Sequence, residues 1–150
     1  MKLDTSTINM LLTGVLASVL SAVITSLINI FYQRRAEKKQ LSDTLMQLNT
    51  FLVNEPFLEN DASLNKYMTN DDKENQLKKD RYNMYCLMKY NYLEDFCRYH
   101  KFKSKKINKI LNMSEYVNDN IEWWNENKKI NYKSYNKKFL HLVEEIIYDS

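Results

Sequence analysis

The sequence predicts an all-α chain: an N-terminal transmembrane helix continuing into a stalk, followed by a small cytoplasmic bundle of three to four helices. Three observations predict it. The stretch from Thr5 to Gln33 carries no charged residue and runs directly into Arg34-Arg35-Ala36-Glu37-Lys38-Lys39. The 150-residue chain has one glycine, Gly14, and one proline, Pro56, which leaves little material for the tight β-turns and phosphate-cradling loops that need glycine. Beyond Lys39, apolar residues recur at intervals of three and four, the period of helices with a buried face.

Residues 1–33 form the membrane segment. A helix from Ile8 to Tyr32 is long enough to cross a hydrocarbon core of about 30 Å with some tilt. Its Leu, Ile, Val and Phe residues each favour insertion by roughly 0.3–0.6 kcal/mol, which outweighs the scattered Asn, Thr and Ser. Val15-Leu16-Ala17 resembles a signal-peptidase site, but the apolar run continues through Ile24, Leu27, Ile28, Ile30 and Phe31. That is longer than the roughly 7 to 15 residues of a signal-peptide core. Lys2 and Asp4 on one flank face Arg34, Arg35, Lys38 and Lys39 on the other. The positive-inside rule therefore makes those four a cytoplasmic collar, with the N-terminus outside the inner (plasma) membrane and residues 34–150 in the cytoplasm.

Within the span, small and polar residues fall on two rows spaced by four: Asn9, Thr13, Ala17, Ser21, Thr25 and Asn29, and beside them Gly14, Ser18, Ala22 and Ser26. Residues four apart stack on one helix face, and small ones admit a second helix to backbone distance. These rows predict a homo-oligomer through the span; the competing reading is a monomeric anchor. Gly14, Ser18, Ser21 and Thr25 also fit a heptad seam, so the handedness of the crossing stays open.

Residues 34–55 form the collar and stalk. Leu41, Leu45, Leu48 and Leu52 continue the helical period to about Val53, where Asn54-Glu55-Pro56 breaks it. This leucine seam either zips a coiled coil or docks on the cytoplasmic domain. Residues 56–150 form that domain. From Pro56 to about Asn75 a loop with a short helix is expected.

A helix follows over Asp72 to Tyr99, with Tyr82, Tyr85, Cys86, Leu93, Phe96 and Cys97 on one side and Met84, Leu87 and Met88 on another. A helix apolar over most of its circumference belongs at the centre of a bundle. Its Glu94 and Arg98 are placed for a structural ion pair. The next helix opens on Ser104 as N-cap and carries Ile107, Ile110, Leu111, Val117, Ile121 and Trp124 as one stripe. The last, from about Tyr132, carries Tyr135, Phe139, Leu142, Val143 and Ile146.

The formal net charge of +3 is too small to make nucleic acid the expected main ligand. Walker-type and dinucleotide loops, the G-x-S-x-G elbow and H-E-x-x-H are all missing. Arg98 and His100 stand too close, and His141 lacks a preceding arginine, for the arginine-to-histidine spacing of helical ribonucleases. No catalytic residue, metal or cofactor is therefore assigned. Cys86, Cys97, His100 and His141 make a nominal Cys₂His₂ zinc set. The two cysteines, however, stand about three turns, roughly 16 Å, apart on one helix. The same separation forbids a mutual disulfide, and both read as reduced, buried residues of a reducing compartment.

Adjacent Trp123 and Trp124 point about 100° apart. Trp124 extends the apolar stripe, while Trp123 either packs in the bundle or joins a partner-binding patch, where aromatics are enriched. Lys101, Lys103, Lys105, Lys106 and Lys109 form either a solvated loop or a surface for anionic lipid or a nucleic-acid-containing partner.

The stretch RYNMYCLMKYNYLEDFCRYHKFKSKKINKILNMSEYVNDNIEWWNENKKINYKSYNKKFLHLVEE, taken with the N-terminal span, resembles a loosely defined family of uncharacterised small bacterial single-span membrane proteins with a helical cytoplasmic domain. The resemblance lies in the order of parts: an arginine, a Leu-x-x-x-Glu-like helix represented here by Tyr90 to Glu94, a second helix ending in Trp, and a short third helix. Some members are linked to phage defence, so the resemblance implies a membrane-acting effector. The residues themselves predict a non-enzymatic, membrane-tethered module whose helical domain binds a cytoplasmic protein partner. The alternative is a membrane-disrupting effector of the toxin or abortive-infection type, acting through oligomerisation of the span. An anchored enzyme without a signature motif is a third.

Overall fold

The computed structural model describes residues 4–148, apart from the side chains of residues 5–9 and 11, and the described residues contain helices and no strand. They fall into two units, one ending at Lys39 and the other beginning at Gln40.

The first unit belongs to α1, Thr5–Asn54. Every side chain from Leu12 to Lys39 is exposed. An 18-residue window of the helix reaches a mean hydropathy of 2.0 with none of it buried within the protein, and the helix is long and apolar enough to cross a membrane. α1 ends where expected. Glu55 precedes proline and leaves the helical backbone, with φ −134° and ψ 79°, because the proline ring crowds the helical conformation of the residue before it.

In the second unit the leucine seam is occupied. Leu48 is 2% exposed, and Leu41, Leu45 and Leu52 pack against the same core. Of the two readings of the seam, docking on the helical domain is the one found. The 3₁₀ turn Pro56–Leu58 buries Phe57 and Leu58. The short helix expected before Asn75 is α2, Asp61–Lys66, capped by the Asn60 side chain accepting from the Ser63 amide at 2.8 Å.

The long helix α3 spans Asp72–Tyr99, and Asp71 caps it by accepting from the amides of Lys73 and Glu74. The expected face is buried: Tyr82, Tyr85, Cys86, Leu93, Phe96 and Cys97 all lie in the core. The second apolar side is not: Met84 and Leu87 are exposed and only Met88 is half-buried. α3 is thus covered on one face rather than all round.

The expected second helix is three short ones: α4, Ser104–Ile107; α5, Met113–Asn118; and α6, Ile121–Glu126. Asparagines stand at the interruptions: the Asn112 side chain accepts from the Glu115 amide in place of a helical bond, whereas Asn120 makes no capping bond and turns its side chain to Lys89 and Tyr82. Asn112 restarts the chain as N-cap of α5. Ser104 is not a cap but the first helical residue, behind Lys103, which makes no side-chain capping bond. Ile107, Val117 and Trp124 keep their buried stripe, whereas the turn between α4 and α5 leaves Ile110 56% exposed.

The expected third helix is likewise divided, into α7, Lys128–Ser134, and α8, Lys137–Tyr148. Tyr135 is extended (φ −96°, ψ 155°), and the Asn136 side chain accepts from the Lys138 amide at 2.9 Å. Tyr135, Phe139, Leu140 and Val143 are buried, and α8 lies against α5.

Candidate functional site

The densest polar construction in the helical domain is built on α3. Tyr82, Cys86, Lys89 and Tyr90 follow at intervals of four, three and one, which puts them along one side of the helix. That side meets the start of α2 and the turn between α5 and α6. Lys89 is 2% exposed, and its Nζ donates to Asn120 Oδ1 at 2.6 Å and to Asp119 Oδ2 at 3.2 Å. Asn120 Nδ2 donates to the Tyr82 hydroxyl at 2.6 Å, and that hydroxyl donates to Asp61 Oδ1 at 2.6 Å. The other Asp61 oxygen accepts from the Glu122 amide at 3.0 Å. The Tyr90 hydroxyl donates to the Val117 carbonyl at 3.1 Å.

Burial holds the Lys89 ammonium below its ordinary pKa, with Asp119 pulling the other way. Burial likewise pushes the Tyr82 and Tyr90 hydroxyls above theirs. Every polar atom of the chain Lys89–Asn120–Tyr82–Asp61 is engaged within the protein, so the chemistry on offer is cohesion: one cation and one amide fasten α2, α3 and α6. A smaller clasp joins α3 to the α7–α8 break. Glu94 Oε1 accepts from Arg98 at 3.1 Å, the expected ion pair, and also from the Asn136 amide at 2.9 Å.

The nominal zinc set is not brought together. Cys86 and Cys97 are free and buried, and His141 is exposed beside Glu145 of its own helix at 3.7 Å. Among the described residues no three His, Cys, Asp or Glu side chains are grouped to hold a metal ion. Burial pushes both thiols up to about 12. Since the thiolate is the reactive form, iodoacetamide at neutral pH is expected to label neither cysteine in the folded chain. After denaturation both should react on the order of 100-fold faster or more. Rapid labelling before unfolding, read by mass spectrometry, would contradict this burial.

Trp123 does not contribute to a surface. It is 6% exposed and stacks on Tyr90, with ring centroids 5.3 Å apart and planes 18° apart. The side it leans toward is the Tyr90 face of α3, already covered. The partner-binding reading of Trp123 is therefore corrected to core.

The remaining predicted residues lie on surfaces. Thr13, Gly14, Ala17, Ser18, Ser21, Ala22, Thr25, Ser26 and Asn29 are exposed on α1, and the side chain of Asn9 lies outside the described residues. Ser18 donates to the Gly14 carbonyl at 2.9 Å. A Cβ at Gly14 would meet nothing within 4 Å, so packing inside the chain does not require glycine there. Arg34, Arg35, Lys38 and Lys39 are exposed. So are Lys101, Lys103, Lys105, Lys106 and Lys109, at the corner where α3 gives way to α4.

Sequence reasoning passed over Lys89 and Asn120. The available signal was a lysine seven residues after Tyr82 on the apolar face of α3. Comparison with protein-family models, curated proteins and solved structures finds no match.

Proposed function

We propose that the chain is a single-pass protein of the inner (plasma) membrane, N-terminus outside, whose cytoplasmic helical domain binds a protein partner and whose span self-associates. The observation that carries the reading is the first part of α1: from Leu12 to Gln33 it is uncharged, apolar and of spanning length, with no covering from its own chain. An uncovered apolar helix of that length is unfavourable in water and stable in a bilayer. The collar sets the orientation. Self-association is supported by the exposed rows of small residues, including a glycine that no contact within the chain requires.

Binding is preferred over catalysis because the buried polar groups of the helical domain hold helices to one another. Leu77, Met84 and Leu87 remain exposed along α3. Their spacing of seven and three places them on one stripe, the form of surface that a partner helix or groove covers.

Membrane fractionation of cells expressing the full chain with a C-terminal tag tests the reading. The chain is expected to resist carbonate extraction, with the tag shielded from protease in intact spheroplasts and cleaved after permeabilisation. Recovery in the soluble fraction, or cleavage in intact spheroplasts, would overturn it. Crosslinking in the same membranes should give oligomers that weaken when Ser18, Ser21, Ala22 and Thr25 are all changed to Leu. Dye entry on expression that the same four changes abolish would favour the membrane-disrupting effector instead.

A further inference from the structure

We infer that the corner between α3 and α4 is a binding surface for anionic lipid headgroups, so that the helical domain touches the bilayer at a second point besides the span. The inference rests on the proposed membrane anchoring. Lys101, Lys103, Lys105, Lys106 and Lys109 are all exposed, and among the described residues none is ion-paired, while other lysines of the domain, Lys78, Lys89 and Lys128, are. No acidic residue stands between Asp95 and Glu115 to neutralise them. Cations this close repel one another, and a polyanionic surface relieves that repulsion.

The corner is also a built one. Lys101 and Phe102 both take positive φ, 57° and 53°, a region L-residues seldom enter. The turn is closed by the Phe102 amide donating to the Cys97 carbonyl at 2.8 Å and the Lys101 amide donating to the Arg98 carbonyl at 2.9 Å. Phe102 packs on the core and Ile107 is wholly buried beneath, so the lysines project from a fixed backbone. Ile110, the apolar residue expelled from the buried stripe, stands exposed next to Lys109. Cations beside an exposed aliphatic side chain match the boundary between headgroups and acyl chains.

Charge complementarity admits nucleic acid and acidic protein as well, and two arguments favour lipid. Single-stranded nucleic acid is held by exposed aromatic platforms, whereas Trp123 and Trp124 are buried and Phe102 is packed on the core. A lysine cluster attracts an anionic surface only within about a Debye length, roughly 10 Å. Such a contact suits a domain already tethered at high effective concentration.

The test uses the full chain with Ser104→Cys labelled by bimane, reconstituted in phosphatidylcholine vesicles with and without 30% phosphatidylglycerol and carrying nitroxide headgroups. The native cysteines, buried and with raised pKa, stay unlabelled. Flotation is read first: a chain that does not float with vesicles refutes the anchoring itself. For a chain that floats, quenching is expected to rise severalfold with phosphatidylglycerol and to fall back in 0.5 M salt. Lys103→Gln, Lys105→Gln, Lys106→Gln and Lys109→Gln together should remove the rise, since each lysine contributes about fivefold to partition. Quenching that ignores phosphatidylglycerol, or survives the four substitutions, overturns the lipid inference alone. Poly(U) or polyglutamate binding the chain in pure phosphatidylcholine vesicles more tightly than phosphatidylglycerol does, and losing that binding with the same substitutions, reassigns the corner and overturns it too.

Discussion

Trp124→Ala is expected to destabilise the helical domain by about 3–5 kcal/mol, the range for emptying a fully buried large aromatic site. Trp124 is 1% exposed and stands where three elements converge. Its ring lies 4.6 Å from Tyr90 of α3, 5.7 Å from Tyr135 and 6.3 Å from Phe139 of α8, the last edge-on at 85°. Each such aromatic pair contributes about 0.5–1.5 kcal/mol beyond the area it buries, and truncation removes all three at once. Its backbone carbonyl accepts from Asn131 Nδ2 of α7 at 3.3 Å, a bond the alanine variant can keep, so the loss reads the ring alone. A domain of this size is stable by only about 5–15 kcal/mol, so the substitution should remove a large fraction of the total.

Trp123 gives the contrast. Its indole N–H is buried without a hydrogen-bond partner. Trp123→Phe therefore deletes an unsatisfied donor along with part of the ring and should cost less than Trp124→Phe. Urea unfolding of the full chain in mild detergent, followed by helical circular dichroism, measures both. A loss below about 1 kcal/mol for Trp124→Ala would contradict this packing.

The helix α1 and its end at Asn54 were legible because nothing distant in sequence decides them: an uncharged run sets the one and Pro56 the other. The buried face of α3 was legible for a similar reason, since its apolar spacing is long and regular. The division of the region after Ser104 was not. Ile107, Val117 and Trp124 satisfy a helical period whether the chain between them is continuous or broken twice, and the stripe outweighed the asparagines at 108, 112, 118 and 120 that stand at the breaks. Tyr135 and Asn136 hid the break between α7 and α8 in the same way.

Apolar character alone did not reveal which faces are covered. Met84 and Leu87 look like core and are exposed, while Trp123, open between core and partner surface on sequence alone, is covered. Exposure of the collar and corner lysines followed directly from their charge. Lys89 is the exception among lysines because the groups that admit it to the interior, Asn120 and Asp119, lie about thirty residues away in sequence.

Those partners make the second large effect. Asn120→Ala is expected to cost roughly 1.5–3 kcal/mol, the range for a buried hydrogen bond to a charged group. The side chain is fully buried, accepts from Lys89 Nζ at 2.6 Å and donates to the Tyr82 hydroxyl at 2.6 Å. Its removal leaves the ammonium on the 3.2 Å contact to the partly exposed Asp119. Lys89→Met keeps the apolar stem and removes the charge that needs solvation, so its cost should be nearer 1–2 kcal/mol, chiefly the unpaired Asn120 oxygen. The double variant should then be less destabilised than the sum of the two, because Asn120 has no cation left to satisfy.

The pH dependence has a definite sign. Burial lowers the folded pKa of Lys89. Between that value and the ordinary lysine value near 10.4 the unfolded chain therefore binds more protons, and stability rises with pH. Removing Asn120 takes away a bond to the charged form and lowers the folded pKa further. The penalty of Asn120→Ala relative to wild type should shrink as pH rises from neutral toward the ordinary lysine value, and that shrinkage should vanish in the Lys89→Met background. A penalty independent of pH in both backgrounds would mean that Asn120 acts by packing alone and that Lys89 carries no charge worth holding.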